Sequence, residues 1–244
     1  MEGEGEGEGE GGGAVAVGAV VGEQYCSEEE RELTVRKTSL FFPGDGFAAY
    51  DPQTGEMVFR VDTYGRGPAL ADQLVLMDTP GASILTFRRK WPSLHQRWEG
   101  FLGERSEGQE PLFTVRRSSI FGGDRGDVAV EVHGVGGTYR IEGSFAQRCC
   151  RVLHEGRGGG GERGGVEVVV AEIKRKVDAC AHVVLGRDVF RLCLRPRFDA
   201  AFAMGLVLVL DQICRDDEED DISPADRDDI QGADSHADGD AHHS

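Results

Sequence analysis

Asparagine is missing from all 244 residues, so the chain offers no N-glycosylation acceptor. None of the six cysteines (26, 149, 150, 180, 193 and 214) has CxxC spacing, which fits reduced thiols rather than a disulfide framework or a zinc ribbon. No apolar run approaches the about twenty residues needed to cross a bilayer. Lysine and arginine are absent from the first 30 residues, and the patch Ala14 to Val21 is broken by Gly18, so a secretory signal is not expected. Glu2 follows Met1, which removes the glycine of a myristoylation signal. GxSxG and HExxH do not occur, and GRGGGGERGG (156–165) lacks the GK[ST] ending of a phosphate loop. The expected chain is intracellular, cytoplasmic or nuclear, without a transmembrane span, cofactor or resident metal, and not an enzyme.

Charge is present but unevenly spread. The net charge is -17, yet residues 1–30 carry -9 and residues 201–244 carry -11, which leaves 31–200 at +3. A mildly basic fold therefore sits between an acidic Glu/Gly-rich head (1–18) and an acidic tail (216–244), both expected to be disordered because they have little to bury. The folded unit is expected over 19–215, with 156–165 as a flexible glycine-rich insertion.

Within that unit, short runs rich in Val, Ile, Leu, Phe and Thr recur between turn residues. LTVRKTSLF (33–41) places Leu33, Val35 and Lys37 on one face. AAYDPQTGEMVFRVD (48–62) and QLVLMDTPGASILTFRRK (73–90) read as hairpins around DPQTG and DTPG. EPLFTVRRSSIF (110–121), DVAVEVHG (127–134), TYRIEGSF (138–145), RCCRVL (148–153), VEVVVAEIKRKV (166–177) and DVFRLCLRP (188–196) add further strands. LTVRKTSLF returns as FTVRRSSIF (113–121), and LTFRRK (85–90) as AEIKRK (171–176), in the same order. Two such matches imply two repeated halves of about six strands each.

The run Ala200 to Leu210, AAFAMGLVLVL, is eleven residues long and apolar on every side, the mark of a helix buried all round. Asp199 fits its N-cap and Arg215 its carbonyl end. From 199 to 214 such a helix is about 24 Å long, close to the height of seven-residue strands at about 3.3 Å each. A barrel of about twelve strands has an interior wider than the eight-stranded kind that side chains alone can fill. The expected fold is therefore mainly β: a closed barrel of about twelve strands enclosing a hydrophobic C-terminal helix. DDEEDD (216–221) is expected to begin where that helix leaves the barrel.

Candidate chemistry is sparse. His95, His133, His154 and His182 are scattered singly, and Cys149 and Cys150 should face opposite sides of a strand. The tail cluster His236, His242 and His243 with Asp234, Asp238 and Asp240 has no rigid frame to select a metal. Basic runs are the better candidates for an anion or lipid site: Arg36 and Lys37, Arg88 and Lys90, Arg116 and Arg117, Lys174 and Lys176. The plainer alternative is that they are the polar exterior any barrel requires. Tails of -9 and -11 beside a core of +3 disfavour a nucleic-acid partner. Unidentified protein partners remain the other alternative.

Taken together, VVGEQYC (20–26), LTVRKTSLFF (33–42), FAAYDPQTGEMVFRVD (47–62), LMDTPGASILTFRRKWPSLHQRWEGFLG (76–103), GRDVFRLCLRP (186–196) and FDAAFAMGLVLVLDQI (198–213) resemble the plant LURP-one-related family. That family is similar in fold to the tubby C-terminal domain and to phospholipid scramblases. The resemblance implies a twelve-stranded barrel around a C-terminal helix, docking on acidic phospholipid or phosphoinositide surfaces, and a link to plant defence.

Overall fold

Among the described residues twelve strands form, and the sheet they build closes into a barrel. The computed structural model describes residues 18–37, 46–63, 73–91, 96–118, 127–134, 137–156, 167–177 and 185–221, with side chains through Arg215 other than those of Asp62 and Thr63. A 3-10 turn at Glu23–Tyr25 precedes β1 (Arg31–Lys37), β2 (Phe47–Tyr50), β3 (Met57–Thr63), β4 (Gln73–Asp78), β5 (Ser83–Arg89) and β6 (Trp98–Leu102). The second half holds β7 (Phe113–Arg117), β8 (Val128–Val132), β9 (Thr138–Ser144), β10 (Cys149–Glu155), β11 (Glu167–Arg175) and β12 (Val189–Leu194), followed by α1 (Ala200–Asp221). Each strand pairs antiparallel with its neighbour in sequence, and β12 closes on β1 through Leu33↔Leu192 and Val35↔Phe190.

The repeat seen in the sequence maps onto the barrel. LTVRK of β1 and FTVRR of β7 lie six strands apart and share one burial pattern: three buried residues, one exposed, one half-buried. LTFRR in β5 and AEIKR in β11 are likewise six strands apart. The two halves face each other across the interior. β6 is the strand that hydrophobic patterning did not single out. WEGFL has five residues and a central glycine, and Gly100 is there because a Cβ would come within 2.4 Å of the Phe113 ring.

The helix fills the interior. Every residue from Ala200 to Leu210 other than Gly205 is a hydrophobic side chain no more than 4% exposed. Phe202 is its centre, with Phe113 at 5.0 Å, Tyr139 at 5.3 Å and Phe198 at 6.0 Å between ring centroids. Burying such side chains stabilises by ~1.5–3 kcal/mol each. Asp199 caps the helix as expected: its Oδ1 accepts from the backbone N–H groups of Ala201 and Phe202 at 2.9 and 3.0 Å. Its Oδ2 accepts from Val21 and Gly22 at 2.7 and 3.1 Å, which pins the entering chain over the same end of the barrel.

The end of the helix differs from expectation. α1 runs to Asp221 rather than stopping at 214, so helical backbone enters the segment expected as an acidic tail. A helix bonds its own backbone, so leaving an apolar interior does not end it. Arg215 accordingly sits inside the helix and pairs with Asp211 one turn back, at 3.1 Å. The head through residue 17, the glycine-rich segment from 157, His95, His182, Cys180 and everything after 221 lie outside the described residues.

Candidate functional site

Strand parity decides where the basic runs go. In an all-antiparallel barrel of sequential strands, odd-numbered strands run one way and end at the same rim. β1 ends in Arg36 and Lys37, β5 in Arg88 and Arg89, β7 in Arg116 and Arg117, and β11 in Lys174 and Arg175, with Lys90 and Lys176 immediately beyond. All eight expected site residues therefore gather at one rim. Lys37 identifies it as the rim where α1 emerges, since its Nζ lies 3.0 Å from Asp211 Oδ1. The opposite rim carries Glu30, Glu32, Asp51, Asp78, Glu155 and Glu167. The strand ends are polarised, mostly acid at the rim over the helix N-terminus, where Arg31 and Arg195 also lie, and mostly base at the rim where α1 emerges, while α1 itself carries Asp216–Asp221 out past that basic rim.

The rim has two walls, not one patch. β1 and β11 flank β12, whereas β5 and β7 flank β6 on the far side. Outward residues align as Lys174↔Arg191↔Thr34 on the first wall and as Arg88↔Glu99↔Thr114 on the second. The repeat thus sets Arg191 against Glu99, which makes the β11–β12–β1 wall the more basic. Glu99 binds Lys90 at 2.9 Å and lies 3.8 Å from Arg97. On the other wall Glu172 binds Lys174 at 2.7 Å, Glu32 reaches Arg191 at 3.2 Å, and Lys176 donates to the buried Thr34 hydroxyl at 2.6 Å. Exposed Arg36 lies over the Tyr50 ring at 5.4 Å. Arg88 and Arg116 are exposed and have no carboxylate partner among the described residues.

Lys37 is not a free surface cation. It faces inward with Leu33 and Val35, as alternation requires, and its ammonium answers the nearly buried Asp211 of α1. Beside it lie residues that patterning did not reveal. Arg148, with a left-handed backbone at φ 52, is 6% exposed. Its guanidinium donates to the carbonyls of Arg187 and Phe145 at 2.8 and 3.2 Å and sits 4.0 Å from the Phe145 ring and 4.6 Å from that of Phe190. Burial pulls its pKa down from the ordinary arginine value. A lone Arg before a strand carries no sequence signal of such a position; only the fold closes the barrel mouth over it.

Among the described residues no three His, Cys, Asp or Glu side chains converge as a metal site. Cys149 is exposed and Cys150 buried, on opposite faces as alternation requires, and desolvation pushes the Cys150 thiol up to about 12. His133 bonds the Thr114 hydroxyl at 2.9 Å, and burial pushes the His154 imidazole below its usual range. A recess of about 350 Å³ outside β1, β12 and β11 balances Glu30, Glu32 and Glu172 against Arg31, Lys174 and Arg195. None of these groups pairs a nucleophile with a base. No helix among the described residues is long and apolar enough to cross a membrane.

Comparison with known proteins places the chain. A sequence profile described as LURP-one-related matches residues 31–211, from the start of β1 to Asp211 in α1. Protein LURP-one-related 12 of Arabidopsis thaliana is 56% identical over 199 residues, which cover 81% of this chain and 84% of that protein. Protein LURP-one-related 5 of the same plant is 56% identical over 204 residues, covering 82% and 91%. Protein LURP-one-related 8 is 38% identical over 183 residues, covering 75% and 87%. An Arabidopsis thaliana protein solved by X-ray crystallography superposes with a TM-score of 0.55 at 24% identity, over 80% of this chain and 98% of that one, a likeness of fold.

Proposed function

The chain belongs to the LURP-one-related family, and from that premise we propose that it is a non-enzymatic barrel that docks its basic rim on acidic phospholipid surfaces. The observation carrying this reading is the gathering of four basic strand ends at the single rim where α1 emerges. A flat anionic surface is the partner such a ring fits, because its cations spread over two opposite walls instead of meeting in one cleft. Arg36, Arg88, Arg116 and Arg187 have no carboxylate partner among the described residues. At about 1 kcal/mol for each cation near an anionic membrane, these four supply about 4 kcal/mol, a roughly thousandfold gain in partitioning at low salt before the opposing charge of Asp216–Asp221, which α1 carries out of the same rim, is counted. The acidic rim faces away from the membrane in that pose and helps to orient it. The link to plant defence rests on the family resemblance alone.

Sedimentation with phosphatidylcholine vesicles containing phosphatidylserine tests the reading. The full chain should pellet at low salt and be released at high salt, where the Debye length falls to about 3 Å at 1 M. Reversing Arg36 and Arg116 to Glu should abolish pelleting, whereas Glu167→Lys on the opposite rim should not. If the full chain ignores anionic vesicles at low salt, the docking reading fails. A salt-sensitive gel shift with random duplex DNA under the same conditions would favour a nucleic-acid partner instead.

A further inference from the structure

We infer that the barrel mouth beside the emerging helix is a binding site for one phosphate group, gripped by Arg148 and Arg187. A cavity of about 180 Å³ opens there between Lys37, Arg148, Arg187, Asp188, Asp211 and Arg215. Four cations face two carboxylates. Asp211 is already engaged, by Lys37 at 3.0 Å and Arg215 at 3.1 Å. Arg148 feels Asp211 and the exposed Asp188 only through space, and the cavity as a whole holds positive charge in excess.

Arg148 gives the site its selectivity. A guanidinium has five N–H donors, and the bonds to the Arg187 and Phe145 carbonyls engage only Nε and one hydrogen on Nη1. The other three have no acceptor among the described residues. Both of those carbonyls are neutral and no carboxylate bonds the guanidinium directly, so its charge is balanced only through space, by Asp211 and Asp188, although the residue is only 6% exposed. A buried cation with no directly bonded counter-ion is costly, and the cost falls when an anion arrives to bond it. The Phe145 and Phe190 rings, with centroids 4.0 and 4.6 Å from the guanidinium carbon, hold the group in place. A planar fork of this kind matches two oxygens of a phosphate, which a lysine cannot do. The volume sets the size: it is below the ~300–1,000 Å³ of sites for drug-sized molecules, and so fits a single oxyanion rather than a whole metabolite.

A purely structural Arg148 would only pin the turn before β10 to the Arg187 carbonyl. That role needs no excess cations around a cavity, yet Arg187 lines the same space from the segment before β12. The inference deepens the docking reading and rests on it where the phosphate belongs to a lipid headgroup. A phosphate monoester in solution would present the same chemistry.

The test uses the full chain and two kinds of probe. Inorganic phosphate is titrated at constant ionic strength while the side-chain Nε–H resonance of Arg148 is followed by NMR, with chloride as the control. A saturable shift is expected with phosphate alone, weakened at least tenfold in Arg187→Ala, an exposed position whose loss leaves the fold intact. Arg148→Lys, which keeps the charge and removes the fork, should weaken it to a similar degree. No shift, a shift that never saturates, or one unchanged in Arg187→Ala would overturn the site. Vesicles then separate the sources. Tighter binding to phosphatidylinositol 4-phosphate than to charge-matched phosphatidylserine, lost in Arg187→Ala, assigns the group to a lipid. Equal binding to both vesicles beside an intact phosphate titration assigns it to a soluble ligand and leaves docking standing. Phosphate binding without any vesicle binding supports the site and sinks the docking reading.

Discussion

Replacing Asp199 by alanine should destabilise the barrel by about 3 kcal/mol, because one carboxylate closes two junctions. Its Oδ1 caps α1 through Ala201 and Phe202, a role that contributes about 1 kcal/mol, within the 0.5–2 range of N-caps. Its Oδ2 holds the N–H groups of Val21 and Gly22, more than 170 residues away in sequence. Hydrogen bonds to a charged group contribute ~1.5–3 kcal/mol each, and a value of about 1 is appropriate here because residues 21 and 22 are only half-buried and water can replace the lost oxygen. At about 2–4 °C per kcal/mol for a domain of this size, the midpoint should fall by roughly 6–12 °C. Asp199→Ser keeps a capping oxygen but has no second one for Val21 and Gly22, so it should recover only about a third of the loss. Urea unfolding followed by the fluorescence of Trp98, which is 2% exposed, measures both variants. A loss under about 1 kcal/mol for alanine, or full recovery with serine, would refute the idea that this carboxylate ties the entering chain to the helix.

Other positions test other parts of the structure. Gly205→Ala should destabilise by about 1–2 kcal/mol despite alanine's better helix propensity, since a Cβ there comes within 2.7 Å of Phe87 Cζ in a full core; a gain in stability would mean that α1 is not pressed against β5. Maleimide at pH 8 should modify Cys149 in the folded chain and spare Cys150, whose thiol burial pushes up to about 12; equal labelling in native conditions would contradict the barrel's inside and outside. His154 titrates lower in the folded chain than its unfolded value of 6.5. The unfolded chain therefore takes up the proton first, and stability should fall as pH drops below about 6.5, before most carboxylates titrate. His154→Gln should flatten that part of a stability profile measured by urea midpoint, and an unchanged slope would show that the ring is hydrated.

The core was largely legible because burial writes itself into local patterns. Alternation placed Leu33, Val35 and Lys37 inward, and the all-round apolarity of Ala200 to Leu210 could be satisfied only inside a closed wall. The repeat was legible too, since LTVRK and FTVRR occupy matching positions six strands apart. The rim was not legible, and the reason lies in β6. Trp98–Leu102 is short, contains Gly100 and has no β-branched residue. Eleven strands result if it is left out, which reverses the direction of every later strand and sends the ends of β7 and β11 to the wrong side. Arg148 and Arg191 were hidden for a related reason: the importance of a single arginine depends on which strands flank it. The end of α1 was misplaced because acidic side chains forbid burial, not helicity.

Hydrogen exchange of the full chain, with and without phosphatidylserine vesicles at low salt, probes the docking rim most directly. The account predicts added protection at Arg36–Lys37, Arg88–Lys90, Arg116–Arg117 and Lys174–Lys176, with none at Asp51, Asp78 and Glu155 on the other rim. Protection at the acidic rim, or on neither, would contradict it.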